Sequence, residues 1–343
     1  MRHRFLCSNL LIAAVLAVVA VDVRAAEEVN VYSNRPAELL QPLLDGFTKQ
    51  TGIATNLLFL DQGLVERMRS EGEYSPADII VTVDDSRLTE AKQSGLTQAV
   101  TDGTLAAAVP ANFRDPEDHW FGLTLRPRVL YVARAKVDQT AMTYEGLSEP
   151  RWKGRICIRD SRHASNIGLI AAMIELHGET YTEKWLLGLK ANLARKPKGN
   201  DRSQAEAVAA GTCDIALGNT EYMAAMIADP EQKDVASRIR VVLPNSADRG
   251  TSVGVSGMAM AKYAPHRANA LLLMHYLAGK PAQALYSRQT NEYPVNADAE
   301  PAAILKSFGP MKPEDLAMDR IVRLRGQALG LVERVQFNEG PSQ

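Results

Sequence analysis

The chain has 343 residues, 46% hydrophobic and 23% charged, and its 39 Lys and Arg against 40 Asp and Glu leave a formal charge of −1. With no basic block and only 6% aromatic residues, this balance excludes an extended nucleic-acid surface. Beyond the N-terminal segment there is no second long apolar run, which excludes an integral helical membrane protein.

In chain order, Arg2, His3 and Arg4 form a basic start, Leu10 to Val21 an apolar run, and Val23-Arg24-Ala25 a small-x-small cleavage pattern. The run is far shorter than the roughly 20 residues needed to cross a bilayer, and Asp22 and Arg24 close it. A secretory signal peptide over residues 1–25 is therefore expected, with export to the periplasm. Its removal takes away three arginines and one aspartate, so the formal charge moves from −1 to −3.

The mature region opens with alternating strand and helix signals. Val29–Tyr32 reads as a strand, Leu39–Lys49 as a helix, Ile53–Leu60 as a strand, Leu64–Glu71 as a helix and Ala77–Val83 as a strand buried on both faces. Strands of that kind separated by helices predict an α/β fold with a parallel sheet. A second α/β set follows: strands at Cys157–Ile158 and Asp214–Gly218, helices at Ile167–Leu176, Thr182–Ala191 and Arg202–Ala210. Gly211 stands where a helix C-terminal glycine belongs. The C-terminal region (Pro265–Leu277, Pro281–Arg288, Leu316–Val335) reads as amphipathic helix.

Leu123–Val132, a strand core broken by Pro127, and Val241–Val255 read as crossovers between lobes. The expected architecture is two α/β domains joined by crossover strands with the ligand cleft between them. One lobe is drawn from residues 26–125 plus 253–300, the other from 126–252 plus 301–343. Cys157 and Cys213, the two cysteines left after cleavage, are either a disulfide or two buried thiols.

Several of these segments carry a resemblance. Val31-Tyr32-Ser33-Asn34-Arg35, Ser75-Pro76-Ala77-Asp78-Ile79, Trp152-Lys153-Gly154-Arg155-Ile156-Cys157, Gly199-Asn200-Asp201, Cys213-Asp214-Ile215-Ala216-Leu217-Gly218-Asn219 and Glu292-Tyr293-Pro294-Val295-Asn296 occur in an order and spacing that resembles the periplasmic ferric-iron-binding proteins of ABC importers. The resemblance implies the two-lobed type II binding-protein fold, a membrane permease and an ATPase as partners, and Fe³⁺ as transported ligand with carbonate or another anion beside it. It also implies a Cys157–Cys213 bridge. A monomer is expected.

Such proteins hold Fe³⁺ mainly through tyrosine phenolates, because a hard, highly charged cation prefers anionic oxygen and can displace a phenol proton. Here Ser165 falls where the family's lone tyrosine is expected, and the family's tyrosine pair reads Glu221-Tyr222. Pro36 and Ala37 follow Arg35 in place of a His-Tyr. The metal set implied is thus Tyr222 with Glu221, and Arg35 matches an arginine that contacts the anion; Ser165, near a helix start, and Arg126, on a strand face, complete the expected anion set.

Other readings of the same residues stay open. Tyr222 can be a half-buried aromatic, Glu221 a carboxylate placed for the helix dipole behind a Thr220 cap, and Arg35 a solvated surface group. Arg126 and Arg128, two apart on one strand face, suit an anion or an ion pair with Asp84, Asp85 or another carboxylate. His163 is a possible metal ligand or an exposed loop residue, and Ser161 and Ser165 can serve an anion at the helix starting near Asn166. The alternative cargo is an organic or phosphorylated anion; a sensory module presenting its ligand to a membrane receptor is a third reading. No His-Glu-x-x-His, Walker or Cys-x-x-Cys motif occurs, so an enzyme is not expected.

Overall fold

The computed structural model describes residues 27–341; the expected signal peptide lies outside them. In chain order the elements are β1 (Glu28–Ser33), α1 (Ala37–Thr51), β2 (Ala54–Phe59), α2 (Leu64–Glu71), β3 (Ile79–Thr82), α3 (Asp85–Gln93), α4 (Gly103–Ala108) and β4 (Phe121–Ala133). There follow β5 (Ile156–Cys157), α5 (Ala164–His177), α6 (Glu179–Ala191), α7 (Asp201–Ala209), β6 (Ile215–Asn219), α8 (Thr220–Ala228), α9 (Lys233–Ser237) and β7 (Ile239–Val242). The chain closes with β8 (Val253–Met260), α10 (Arg267–Ala278), α11 (Lys280–Thr290), β9 (Tyr293–Pro294), α12 (Ala303–Lys306) and α13 (Met318–Arg334).

All four residues of β3 are buried, as expected of a strand covered on both faces. The edge strand β2 instead alternates in exposure. Strand β1 pairs in parallel with β2 and β3. The sheet is nonetheless mixed and not purely parallel: β3 pairs antiparallel with β8, and β8 antiparallel with β4. The reversal arises because β4 and β8 are return strands between two sets of helices, and a chain that leaves and re-enters a sheet runs both ways through it.

Strand β4 changes partners along its length. Its residues Phe121 to Pro127 pair with β8, whereas Arg128 to Val132 pair with β6 and Leu130 to Ala133 with β7. Pro127 does not break the strand, contrary to the sequence reading. It occupies the position where the partner changes, so its missing N–H interrupts neither ladder, and the next donor, Arg128 N–H, bonds the Ser252 carbonyl at 2.8 Å. The β7–β8 segment provides the second crossing. The two-lobed α/β arrangement therefore rests on two strand connections, with α5 packed on α13 beside them.

Cys157 at the end of β5 and Cys213 before β6 form a disulfide, with Cα atoms 5.9 Å apart. It sits in a small core of its own with Ala205, Val208 and Ala216. Gly211 lies at φ +75°, and its N–H bonds the Val208 carbonyl at 3.0 Å, closing α7 in the left-handed turn that glycine favours.

Candidate functional site

Three helix starts and two strands meet around one cavity of about 360 Å³. The α3 start contributes Asp84 and Arg87, α5 contributes His163 and Ser165, and α8 contributes Tyr222. Arg126 and Arg128 come from β4, Ser252 to Val255 from β8 and its approach, and Arg325 from α13. Local sequence explains the helix starts. Asp84 accepts hydrogen bonds from the N–H groups of Ser86 and Arg87, and His163 Nδ1 accepts one from Ser165 N–H. Among the expected residues, Tyr222, Ser165 and Arg126 thus converge on one space.

Arg126 lies at the centre of the charge arrangement. Its Nε and Nη2 reach Glu221 Oε1 at 2.9 and 2.7 Å, its Nη1 donates to the Val83 carbonyl at 3.1 Å, and its Nε stands 3.5 Å from Glu292 Oε1. One guanidinium therefore ties β4 to α8 and to the loop before α3. Arg128, on the same strand face, is buried and bonds Asp201, Asn219 and Asn166 at 2.7, 2.9 and 2.6 Å. The ion-pair reading of these two arginines holds, with Glu221, Glu292 and Asp201 as the carboxylates. Asp85 pairs instead with Arg325, at 2.9 Å.

Glu221 is buried, accepts 3.1 Å from Asn219 Nδ2, and leaves its Oε2 without a hydrogen-bond partner among the described residues. Burial raises its carboxyl above the ordinary range; Arg126 works against this and the nearby Glu292 charge adds to it. The helix begins at Thr220, behind Asn219, so Thr220 is a first-turn residue and not the cap.

Tyr222 is half-buried, with the Arg202 guanidinium 5.5 Å from its ring centroid. Burial raises its phenol pKa, and Arg126 pulls the other way. No described residue hydrogen-bonds its hydroxyl.

Arg35 is not a surface group. It is 2% exposed, forms a two-pronged bond to Glu292 at 3.1 and 3.0 Å, and its guanidinium carbon lies 5.1 Å from the Tyr286 ring centroid. It is not among the residues lining the cavity. Sequence reading missed Glu292, whose carboxylate also accepts from Thr124 Oγ1. Burial pushes its pKa up, but Arg35 and Arg126 outweigh that and hold it below the ordinary value. Its place in a recurring Glu-Tyr-Pro-Val-Asn string was the available signal. Ser161 also points elsewhere, its N–H and Oγ donating to Asn338 Oδ1 at 3.0 and 2.9 Å.

His163 is pushed down to about 4, first by burial and then by Arg159, Arg128 and Arg126. An unfolded histidine titrates near about 6.5, so the unfolded state gains a proton first. The contribution of His163 to folding stability should therefore be level above about pH 6.5 and fall as pH drops toward about 4. Urea titrations across that range check this, with His163→Asn expected to flatten the slope. An equal slope in the variant would refute it.

Residues 75–309 match the family described as bacterial extracellular solute-binding protein. The chain is 39% identical over 319 residues to iron uptake protein A1 of Synechocystis, covering 92% of this chain and 87% of that protein. In structure it is similar to the Mannheimia haemolytica ferric iron-binding protein A in an open conformation, with 43% identity and TM-score 0.89 over 91% of this chain and 99% of that one. A Trichodesmium protein solved with iron and citrate ligands gives 41% identity and TM-score 0.87 over 90% and 99%. The type II two-lobed architecture, the matched residues and the level of identity together place this chain in the bacterial extracellular solute-binding protein family.

Proposed function

We propose that this protein binds ferric iron as a complex with an organic carboxylate such as citrate and delivers it to an ABC permease and its ATPase. The observation that carries this reading is the meeting of the Tyr222 phenol with Arg126 and Ser165 in one cavity. The names of the relatives, an iron uptake protein and ferric-binding proteins, support it. Tyr222 lines the cavity, whereas Glu221 is held by Arg126 and is not among the lining residues, so the two offer too few anionic oxygens to satisfy Fe³⁺ without oxygens brought by the cargo. The cavity is far larger than a bare ion and lies within the roughly 300–1,000 Å³ of small-molecule sites. A chelate's carboxylate would share Arg126 with Glu221 and Arg128 with Asp201, the carboxylates that hold these arginines. An iron complex that carries its own oxygen donors fits this site better than an iron–carbonate pair does.

In this reading the protein is exported by its N-terminal segment, acts as a periplasmic monomer, and closes two lobes over the cargo. Those lobes are residues 26–125 with 253–300, and 126–252 with 301–343, a division that the change of partner along β4 supports. The site catalyses nothing; it selects and carries.

Titrating apo-protein with ferric citrate should produce a visible phenolate-to-iron absorption band. It should also stabilise the fold by about 2.7 kcal/mol when free ligand stands at 100 times Kd. No band and no stabilisation would refute iron as cargo. Stabilisation by citrate without iron, and no band with it, would instead favour the organic-anion reading.

Tyr222→Phe should abolish the band and weaken ferric citrate by about a hundredfold, about 2.7 kcal/mol. Because the phenol must lose its proton to bind iron, and burial has raised its pKa, wild-type affinity should increase with pH. A band that persists in the variant would remove Tyr222 as the donor.

A further inference from the structure

The side chain of His163 does two things at once. Its Nδ1 accepts the Ser165 N–H at 3.3 Å and caps α5, and the residue is one of those lining the cavity with Ser165, Arg126 and Tyr222. A neutral imidazole carries one proton on its two nitrogens. With Nδ1 committed as an acceptor, that proton resides on Nε2, which makes no hydrogen bond to any described residue. The depressed pKa agrees with a ring that is neutral at pH 7. Nearby, the 2%-exposed Arg128 also lines the cavity and has an Nε with no partner among the described residues.

This tautomer decides between metal and anion. To ligate a metal through Nε2, the ring would have to move its proton to Nδ1, where it would confront the Ser165 N–H and uncap α5. To meet an anion it need change nothing, because Nε2–H is already a donor. We infer that His163 is an anion-recognition residue of this site, donating Nε2–H to a carboxylate oxygen of the cargo. The inference rests on the chelate reading above in one respect: it takes the anion to be a carboxylate.

The test uses the full mature protein and two probes, ferric citrate and iron-free citrate. His163→Asn keeps a good helix cap but is too short to reach as the imidazole does. It should weaken both probes about tenfold, the loss of one hydrogen bond to a charged acceptor, while leaving the energy of the iron band unchanged. His163→Gln, long enough to present an N–H, should recover part of the loss. Nitrogen NMR of wild-type imidazole should show the Nε2–H tautomer at pH 7 and a shift of that resonance on adding citrate, a readout independent of any variant's folding.

Affinity of His163→Asn within twofold of wild type for both probes would overturn the inference, as would an Nδ1–H tautomer. So would a displaced iron band in the variant, which would make the ring an iron ligand. A wild-type protein that binds citrate but gives no iron band would end the iron proposal and leave the His163 contact to be judged from the citrate arm. Binding of neither probe would end both.

Discussion

Glu292→Gln should destabilise the protein by about 3–5 kcal/mol, the cost typical of removing one partner from a buried ion pair. The expectation follows from what the carboxylate holds. Arg35 is 2% exposed and its described charged contact is Glu292, at 3.0 Å. Arg126 stands 3.5 Å away and shares itself with Glu221. The glutamine keeps volume and some hydrogen bonding but removes the charge, so one buried and one part-buried guanidinium group would face a single buried carboxylate. Replacing both members of the Arg35–Glu292 pair by methionine should cost less than either single change, since an apolar pair leaves no uncompensated charge. Wild type has a matching acid sensitivity. The Glu292 pKa is held below its unfolded value of about 4.3, so the stability it contributes is present above that pH and is lost as pH falls further. Urea unfolding of the variants at pH 7 and in acid measures both effects. A loss below about 1 kcal/mol for Glu292→Gln would show that the pair is held open to water.

The second large effect belongs to the disulfide. Cys157 and Cys213 are 56 residues apart, and closing a loop of that length lowers the entropy of the unfolded chain by an amount equivalent to about 4 kcal/mol. Cys157→Ser with Cys213→Ser should be less stable by that order under oxidising conditions, and a strong reductant should bring wild type to the same level. The bridge also joins the strand before α5 to the turn after α7, and α7 opens with Asp201, the carboxylate that pairs Arg128 and Arg159. Ferric citrate affinity should consequently fall along with stability. Identical unfolding curves for variant and wild type in oxidising buffer would contradict the assignment.

Much of the fold was legible because it rests on local patterns. Leu64–Glu71 was read to the residue, and α1, α6 and α13 to within a few, since their apolar residues recur with helical period. The brief strands β7 and β9 were not delimited: four and two residues carry too little alternation to register. Pro127 misled because a proline ordinarily ends a ladder, and only the three-dimensional partners show that here the ladder changes hands at that residue. In the site, Tyr222 and Ser165 could be proposed from their places relative to matched strings, and Arg126 from its place on a strand face. The Arg35–Glu292 pair could not, since 257 residues separate its members and neither carries a local mark of burial. His163 was read as a ligand or a loop residue; its third role, as a cap that fixes its own proton, depends on one backbone N–H.

The way β4 is shared also bears on how a small event becomes a large one. Arg126 lies one residue from the place where the strand changes ladders, holding Glu221 on one side and the Val83 carbonyl on the other. Any rotation of the lobes about that place has Arg126 near its fulcrum and the outer helices at the far end of the lever. Rearranging a single guanidinium, by a fraction of its own width, would then sweep the outer surfaces through a much longer arc. What would then reach the exterior is an angle between two bodies, a signal open to reading without contact with the cargo itself.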